Sequence, residues 1–171
     1  LWQRYYEEMK IWKTLSICEG VNKAYCITKL NEIPCVCAEW MDNGNYSSMV
    51  NTIDISLFFE NLIRIIKTLD FAYSKFKIIH RDLKPENILV NINHKVVISD
   101  WGLAKSLSKN NIENYSVATQ TNDNLNLTKE GQFLGTIIYA SPEQILGLKN
   151  IDFRTDIYSL GCILYQFETG E

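Results

Sequence analysis

The chain of 171 residues is 46% hydrophobic, which supplies enough apolar material for one domain with a proper core. A formal net charge of −3 and a pI near 5.5 exclude the broad positive footprint with which proteins hold nucleic acid or an anionic membrane. No apolar run reaches the roughly 18 residues of a spanning helix, and no charged-then-apolar leader opens the chain.

In residues 3–15, Tyr5, Met9, Trp12 and Leu15 recur close to i, i+4, i+7, with Glu7, Glu8, Lys10 and Lys13 between them. That spacing predicts an amphipathic helix. Val21–Leu30 and Pro34–Met41 are rich in Val, Ile, Cys and aromatics and are separated by the turn-prone Asn31-Glu32, so an antiparallel pair of strands is expected. Asp42-Asn43-Gly44-Asn45 breaks the pattern. From Ile55 to Phe76, Leu57, Phe58, Leu62, Ile65, Ile66, Leu69, Ala72 and Tyr73 keep a helical period over a broad apolar face, as in a core helix.

Two short strands follow, Ile88–Asn91 and Val96–Ser99, with Asn91–His94 bending them into a hairpin. Residues 106–130 hold many Asn, Ser and Thr and few apolar anchors, which predicts a long mobile loop. Order is expected to resume at Phe133. Ile157–Phe167 is almost uniformly apolar around Gly161, and a helix buried on all sides is expected there. No internal repeat is present.

The five cysteines, Cys18, Cys26, Cys35, Cys37 and Cys162, are odd in number and scattered, which suits a reduced cytosolic interior better than a disulfide framework. Cys35 and Cys37 alternate along an expected strand and should share a face. A zinc site needs further ligands, and the only histidines are His80 and His94, so buried structural cysteines are expected. A chain that begins at Leu1 and stops at Glu171, directly after an apolar helix-like stretch, is expected to be a segment of a longer product.

The chemistry-bearing residues concentrate in His80-Arg81-Asp82-Leu83-Lys84-Pro85-Glu86-Asn87 and, one hairpin later, Asp100-Trp101-Gly102. Gly135-Thr136, Ser141-Pro142-Glu143 and Asp156-Ile157-Tyr158-Ser159-Leu160-Gly161 extend the series. A lone His-Arg-Asp triplet is a weak signal; this ordered set is a specific one. It resembles the protein kinase superfamily, serine/threonine type, over nearly the whole chain. The resemblance implies a truncated α+β two-lobe fold. Residues 1–41 would be the remnant of the small lobe and the hinge, residues 42–171 the large lobe through its central helix, and residues 100–143 the activation segment.

The resemblance assigns roles that phosphoryl transfer explains, because that reaction asks the protein mainly to align two oxygens and to neutralise charge on the moving phosphate. Asp82 would take up the substrate hydroxyl's proton, and Lys84 would place its ammonium beside the γ-phosphate. Asn87 and Asp100 would supply hard oxygen ligands to Mg²⁺ held jointly with ATP. Lys84 also points to serine/threonine kinases, since tyrosine kinases generally carry Ala or Arg in this part of the loop. His80 reads as a satisfied core histidine rather than a base. Trp101 departs from the family's Phe, which keeps the metal ligand and puts a larger ring into the packing.

Upstream, Glu8, with Glu7 as its rival, resembles the glutamate that pairs the ATP-binding lysine. Glu39-Trp40-Met41 resembles the hinge that holds adenine through its backbone, with Ala38 guarding the pocket behind it and Leu89 packing under the ring. The phrases Ile33-Pro34…Ala38-Glu39-Trp40-Met41 and Glu8…Ile11-Trp12 look like a bacterial-type subset often fused to repeat or sensor modules, which would lie outside this chain. The glycine-rich loop and the lysine strand would precede residue 1. Glu143 would pair with an arginine of a later helix, and a buried carboxylate without its partner costs about 3–5 kcal/mol. The segment alone is therefore expected to be poorly stable and inactive.

Two functions compete: an ATP- and Mg²⁺-dependent protein kinase, acting on protein substrates in the cytoplasm, and a pseudokinase that serves as a nucleotide- or partner-binding scaffold. The presence of Asp82, Lys84, Asn87 and Asp100 together favours the enzyme, since a scaffold under no chemical constraint need not keep all of them.

In residues 106–130, Thr128 is the leading phosphorylation site, ahead of Thr119 and Thr121, while Thr136 is expected to order Asp82 and Lys84 by hydrogen bonding. A phosphate adds about −1.5 to −2 charges, and pairing with Arg81, aided by Lys105, would tie the loop to Asp82. Mass spectrometry of active full-length protein is expected to find phosphate on Thr128, and Thr128→Ala to lower activity. Unmodified, fully active enzyme would end that reading.

Overall fold

The computed structural model describes residues 2–31, 33–50, 52–101, 105–106, 137–148 and 150–170. The chain opens with helix α1 (Trp2–Leu15). Its inner face follows the expected period: Leu15 and Met9 are buried and Trp12 packs against the core. Strands β1 (Ala24–Leu30) and β2 (Ile33–Ala38) form an antiparallel ribbon beside it, with Leu30 opposite Ile33 across the turn. Both strands are shorter than expected. Residues 20–22 do not belong to the ribbon, because they run along a later strand: the Asn22 N–H donates to the Ile98 carbonyl (2.9 Å) and the Ile98 N–H to the Gly20 carbonyl (2.7 Å). At the other end β2 stops at Ala38, and Glu39 makes one last bond to the Lys23 carbonyl.

Helix α2 (Ile55–Phe76) has the expected bounds. Asp54 caps its start by accepting from the Ser56 and Leu57 amides, and Lys77 ends it in the left-handed region (φ 56) with its N–H on the Ala72 and Tyr73 carbonyls. Both devices satisfy backbone groups that a helix end leaves orphaned. The buried stripe runs through Phe58, Asn61, Ile65, Thr68 and Ala72. Ile66, expected on that face, is exposed.

After α2 come β3 (Ile78–Ile79), β4 (Ile88–Val90) and β5 (Val96–Ile98). β4 and β5 make the expected hairpin, Leu89 opposite Val97, and Asn91 closes its turn by accepting from the Asn93 and Lys95 amides. A two-residue strand β6 (Lys105–Ser106) pairs with β3. Arg64 of α2 binds the Val96 carbonyl (2.9 Å) and the Glu19 carbonyl (2.9 Å). One guanidinium thus ties helix, hairpin and the α1–β1 connection together.

The short helix α3 (Pro142–Ile145) and helix α4 (Arg154–Thr169) complete the described elements. Together with the antiparallel strand pairs they make an α+β fold, as expected. Helix α4 is not buried on all sides in this chain: Ile157 and Tyr165 are 57% and 60% exposed. Its buried face holds Thr155, Asp156, Ser159, Leu160 and Ile163. Uniform apolarity cannot say which face is covered, and here polar residues with hydrogen-bonding tasks face inward. Tyr46 stacks on Phe167 of this helix (4.6 Å between centroids) and on Phe58 of α2 (6.4 Å). Among the described residues no helix is long and apolar enough to cross a membrane. Residues 107–136, including the expected mobile loop and the start of order at Phe133, lie outside the described residues.

The cysteine expectation is overturned. Cys26 and Cys37 are exposed and Cys35 is half-buried, because the two-stranded ribbon leaves one of its faces uncovered.

The approach of the 18–21 turn to α2 requires glycine at position 20, where a Cβ would come to 1.8 Å from Thr68 Oγ1 and 2.9 Å from Thr68 Cβ. Rotating Thr68 relieves the first contact and not the second. Gly20→Ala is expected to cost about 1–3 kcal/mol in a denaturant titration of the protein, and Thr68→Ala in the same chain to recover part of it.

Candidate active site

The loop between β3 and β4 carries His80 to Asn87, and its shape is held from outside the loop. The Asp156 carboxylate of α4 accepts from the His80 amide (2.9 Å) and the Arg81 amide (2.8 Å). Arg81 sits at φ 71, a left-handed conformation that costs a non-glycine residue about 1–2 kcal/mol, so external bonds are needed to keep it. Asp156 is 4% exposed. Burial pushes its carboxyl up from the ordinary value, and the neighbouring His80, the two amides and Arg81 pull the other way.

His80 is fully buried. Its Nε2 lies 2.9 Å from the Ser99 carbonyl, which can only accept, and its Nδ1 accepts from the Asp82 amide (3.3 Å). Both ring nitrogens of a neutral imidazole are thereby occupied, and none remains to act as a base. The ring meets Trp101 edge-on at 4.6 Å. Trp101 is itself fully buried, with its indole N–H on the Ile98 carbonyl (3.2 Å). The larger ring that replaces the family's Phe is accommodated, and its polar atom is satisfied.

Around this base the acidic, basic and amide side chains converge. Lys84 Nζ lies 3.0 Å from Asp82 Oδ2. Asn87 Nδ2 donates to the same Oδ2 (3.0 Å) and to the Asp82 carbonyl (2.7 Å), which leaves its Oδ1 clear of both bonds. The Ser99 amide and hydroxyl both donate to the Asn87 carbonyl (2.8 and 3.0 Å). Those two bonds bring the end of β5, and with it the exposed Asp100 at φ 54, next to Asn87.

A second group lies where β2 ends. Ala38 is half-buried opposite Ala24, Trp40 is exposed and Met41 is buried. Glu39 has used its amide on Lys23. Among the described residues the Glu39 carbonyl and the Met41 amide carry no backbone partner, so one acceptor and one donor remain on this segment. Leu89 is half-buried on β4, which the Asn43 amide ties to this segment through the Val90 carbonyl (3.1 Å). Glu8 lies on α1 with its side chain outside the described residues, as do Gly102, Thr128, Gly135 and Thr136.

In the sequence, Asp156 reads only as the start of a helix motif and Ser99 only as the end of a strand. Gln144 donates from Nε2 to the Arg81 carbonyl (2.6 Å) while its Oε1 accepts from the Ser141 amide (3.1 Å). Its capping-box position after Ser141 is readable from sequence, but its reach of 63 residues back to Arg81 is not. Glu143 is half-exposed and accepts from Thr155 Oγ1 (3.1 Å). Hydrogen bonds, its own backbone's first, hold its carboxyl below the ordinary value, so the expected cost of a buried, unpartnered carboxylate does not arise among the described residues.

The loop carrying Asp82, Lys84 and Asn87 is joined through Ser99 to Asp100, and the family profile described as the protein kinase domain matches residues 2–171. The chain belongs to the protein kinase domain family. It is 32% identical over 148 residues to serine/threonine-protein kinase PknB of Mycobacterium leprae, covering 84% of this chain and 21% of that protein. To serine/threonine-protein kinase PknD of Protochlamydia amoebophila it is 42% identical over 109 residues, 63% of this chain and 11% of that protein. Serine/threonine-protein kinase PKH2 of Saccharomyces cerevisiae is 37% identical over 136 residues, 78% of this chain and 12% of that protein. The chain thus spans about a fifth or less of the length of these relatives.

Asp156→Asn replaces one of two acceptors by a donor facing a backbone N–H. The exchange is expected to lower stability by about 1–3 kcal/mol, measured by chemical denaturation of the protein. Unchanged stability would mean that the loop does not depend on the carboxylate.

Proposed function

We propose that the full protein transfers the γ-phosphate of ATP to serine or threonine hydroxyls of protein substrates. The observation that carries this reading is the convergence of Lys84 and Asn87 on one carboxylate oxygen of Asp82, with Asp100 brought alongside by the Ser99–Asn87 bonds. Asp82 keeps 11% of its side chain open to solvent, enough to receive a hydroxyl. In this reading Asp82 orients that hydroxyl and takes its proton as the bond to phosphorus forms. Lys84 faces the transferring phosphoryl oxygens and offsets their charge.

Among the described residues no group of three His, Cys, Asp or Glu side chains is arranged to hold a metal ion. Asn87 Oδ1 and the Asp100 carboxylate are hard oxygen donors that fit Mg²⁺ shared with nucleotide phosphates and water, the way that ion is usually held in phosphoryl-transfer sites. When bound, it neutralises phosphate charge. The Glu39 carbonyl and the Met41 amide would bind the edge of the adenine ring, with Ala38 behind it and Leu89 beneath. Glu8 would position the ATP-binding lysine, and Arg81 with Thr128 and Thr136 would couple the activation segment to Asp82. A cytoplasmic location and a fused sensor or repeat module belong to the same reading.

Asp82→Asn in the full-length protein is expected to lower turnover by about 10²–10⁴ while sparing nucleotide binding, because it removes the proton acceptor and keeps the shape. Phosphate transfer from radiolabelled ATP to a generic protein substrate checks the rate. Equal activity in the variant and the parent would sink the mechanism. Nucleotide binding without transfer by the parent would favour a scaffold.

A further inference from the structure

We propose that Cys26 and Cys37 form a redox-active thiol pair, oxidised by peroxide to a reversible disulfide that cross-links β1 to β2 one residue before Ala38. The two residues are direct partners in the antiparallel register, and Thr28 opposite Cys35 continues the same face. Partners in an antiparallel ladder stand about 4.5–5.5 Å apart at Cα, whichever kind of pair they form. A disulfide spans about 4.4–6.8 Å at Cα, a range that includes this spacing, and the pair lies next to the register shift between Ala24 and Cys26.

Both thiols are exposed, which is the access that oxidation requires. A hydrogen bond with the Cys26 side chain is the largest of the causes that raise the pKa of Cys37, and Cys35 adds to the rise. The alternative use of three clustered thiols, a metal site, is disfavoured because no such ligand group is formed among the described residues.

The chemistry balances with hydrogen peroxide as the oxidant. One of the two thiols, as its thiolate, attacks a peroxide oxygen, the O–O bond breaks, and the departing hydroxide takes that thiol's proton to leave as water. The partner thiol's sulfur then attacks the resulting sulfenic acid, the S–S bond forms, the S–O bond breaks, and a second water carries off the partner's proton. Two thiols lose two electrons and the peroxide gains them. A dithiol reverses the reaction by exchange. The closed loop contains the ribbon's turn, and its closure lies at the end of β2 that runs directly into Glu39-Trp40-Met41.

The test uses the full-length protein, reduced and then treated with hydrogen peroxide. Lys29 and Glu32 lie between the two cysteines, so digestion with trypsin and a glutamate-specific protease separates them unless they are linked. The expected result is the loss of two titratable thiols per chain, with a Cys26–Cys37 linked peptide from protein that migrates as a monomer without reductant. The link is expected to persist in Cys35→Ser, to vanish in Cys26→Ser and in Cys37→Ser, and to reverse with dithiothreitol. Free thiols at both positions after oxidation, a link from Cys26 to Cys35 instead, or a link only between two chains would each overturn the proposal.

Discussion

The shape of the loop from His80 to Asn87 depends on one buried carboxylate. Asp156 reaches the amides of two successive residues 75 and 76 positions earlier in the chain. A loop that turns through a left-handed Arg81 presents adjacent N–H groups to the protein interior, where an orphaned donor is costly. One ionisable acceptor on α4 satisfies both. Asp82, the next residue, inherits its position from that contact.

The same economy of contacts joins the two halves of the site. The Asn87 side chain bonds Asp82 while its backbone carbonyl receives both donors of Ser99. His80 bonds the Ser99 carbonyl from the other side, and Trp101 closes over His80. A displacement of β5 would therefore move Asp100, Asn87 and Asp82 together. The 20–22 segment along β5 and the Arg64 guanidinium on Val96 oppose such a displacement. The tight seat of Gly20 against Thr68 is part of that restraint.

The ribbon β1–β2 stands in contrast. It packs through α1 on one side, and its other face leaves Cys26 and Cys37 open to solvent. Its thiols are thus accessible, whereas His80 and Asp156, which hold the loop, are buried. The segment that follows, with its remaining acceptor at Glu39 and donor at Met41, hangs between this exposed ribbon and the buried hairpin.

The sequence by itself determined the elements whose periods are strong, α1, α2 and the β4–β5 hairpin, since cap residues and apolar spacing are local signals. It also pointed to the family, because eight consecutive residues from His80 to Asn87 and a second motif at Asp100 form a specific set, and the protein kinase domain profile matches residues 2–171. It misplaced what depends on neighbours distant in the chain. Its local pattern puts Val21 in the ribbon although that segment runs along β5, Cys35 and Cys37 in the interior although their face is open, and α4 in full burial although Ile157 and Tyr165 are exposed. Only the tertiary structure decided that Asp156 holds the loop, that Gln144 reaches the Arg81 carbonyl, and that Cys26 stands opposite Cys37. Composition and periodicity report how one stretch of chain prefers to fold, whereas pairings of this kind exist only once separate stretches have been brought together.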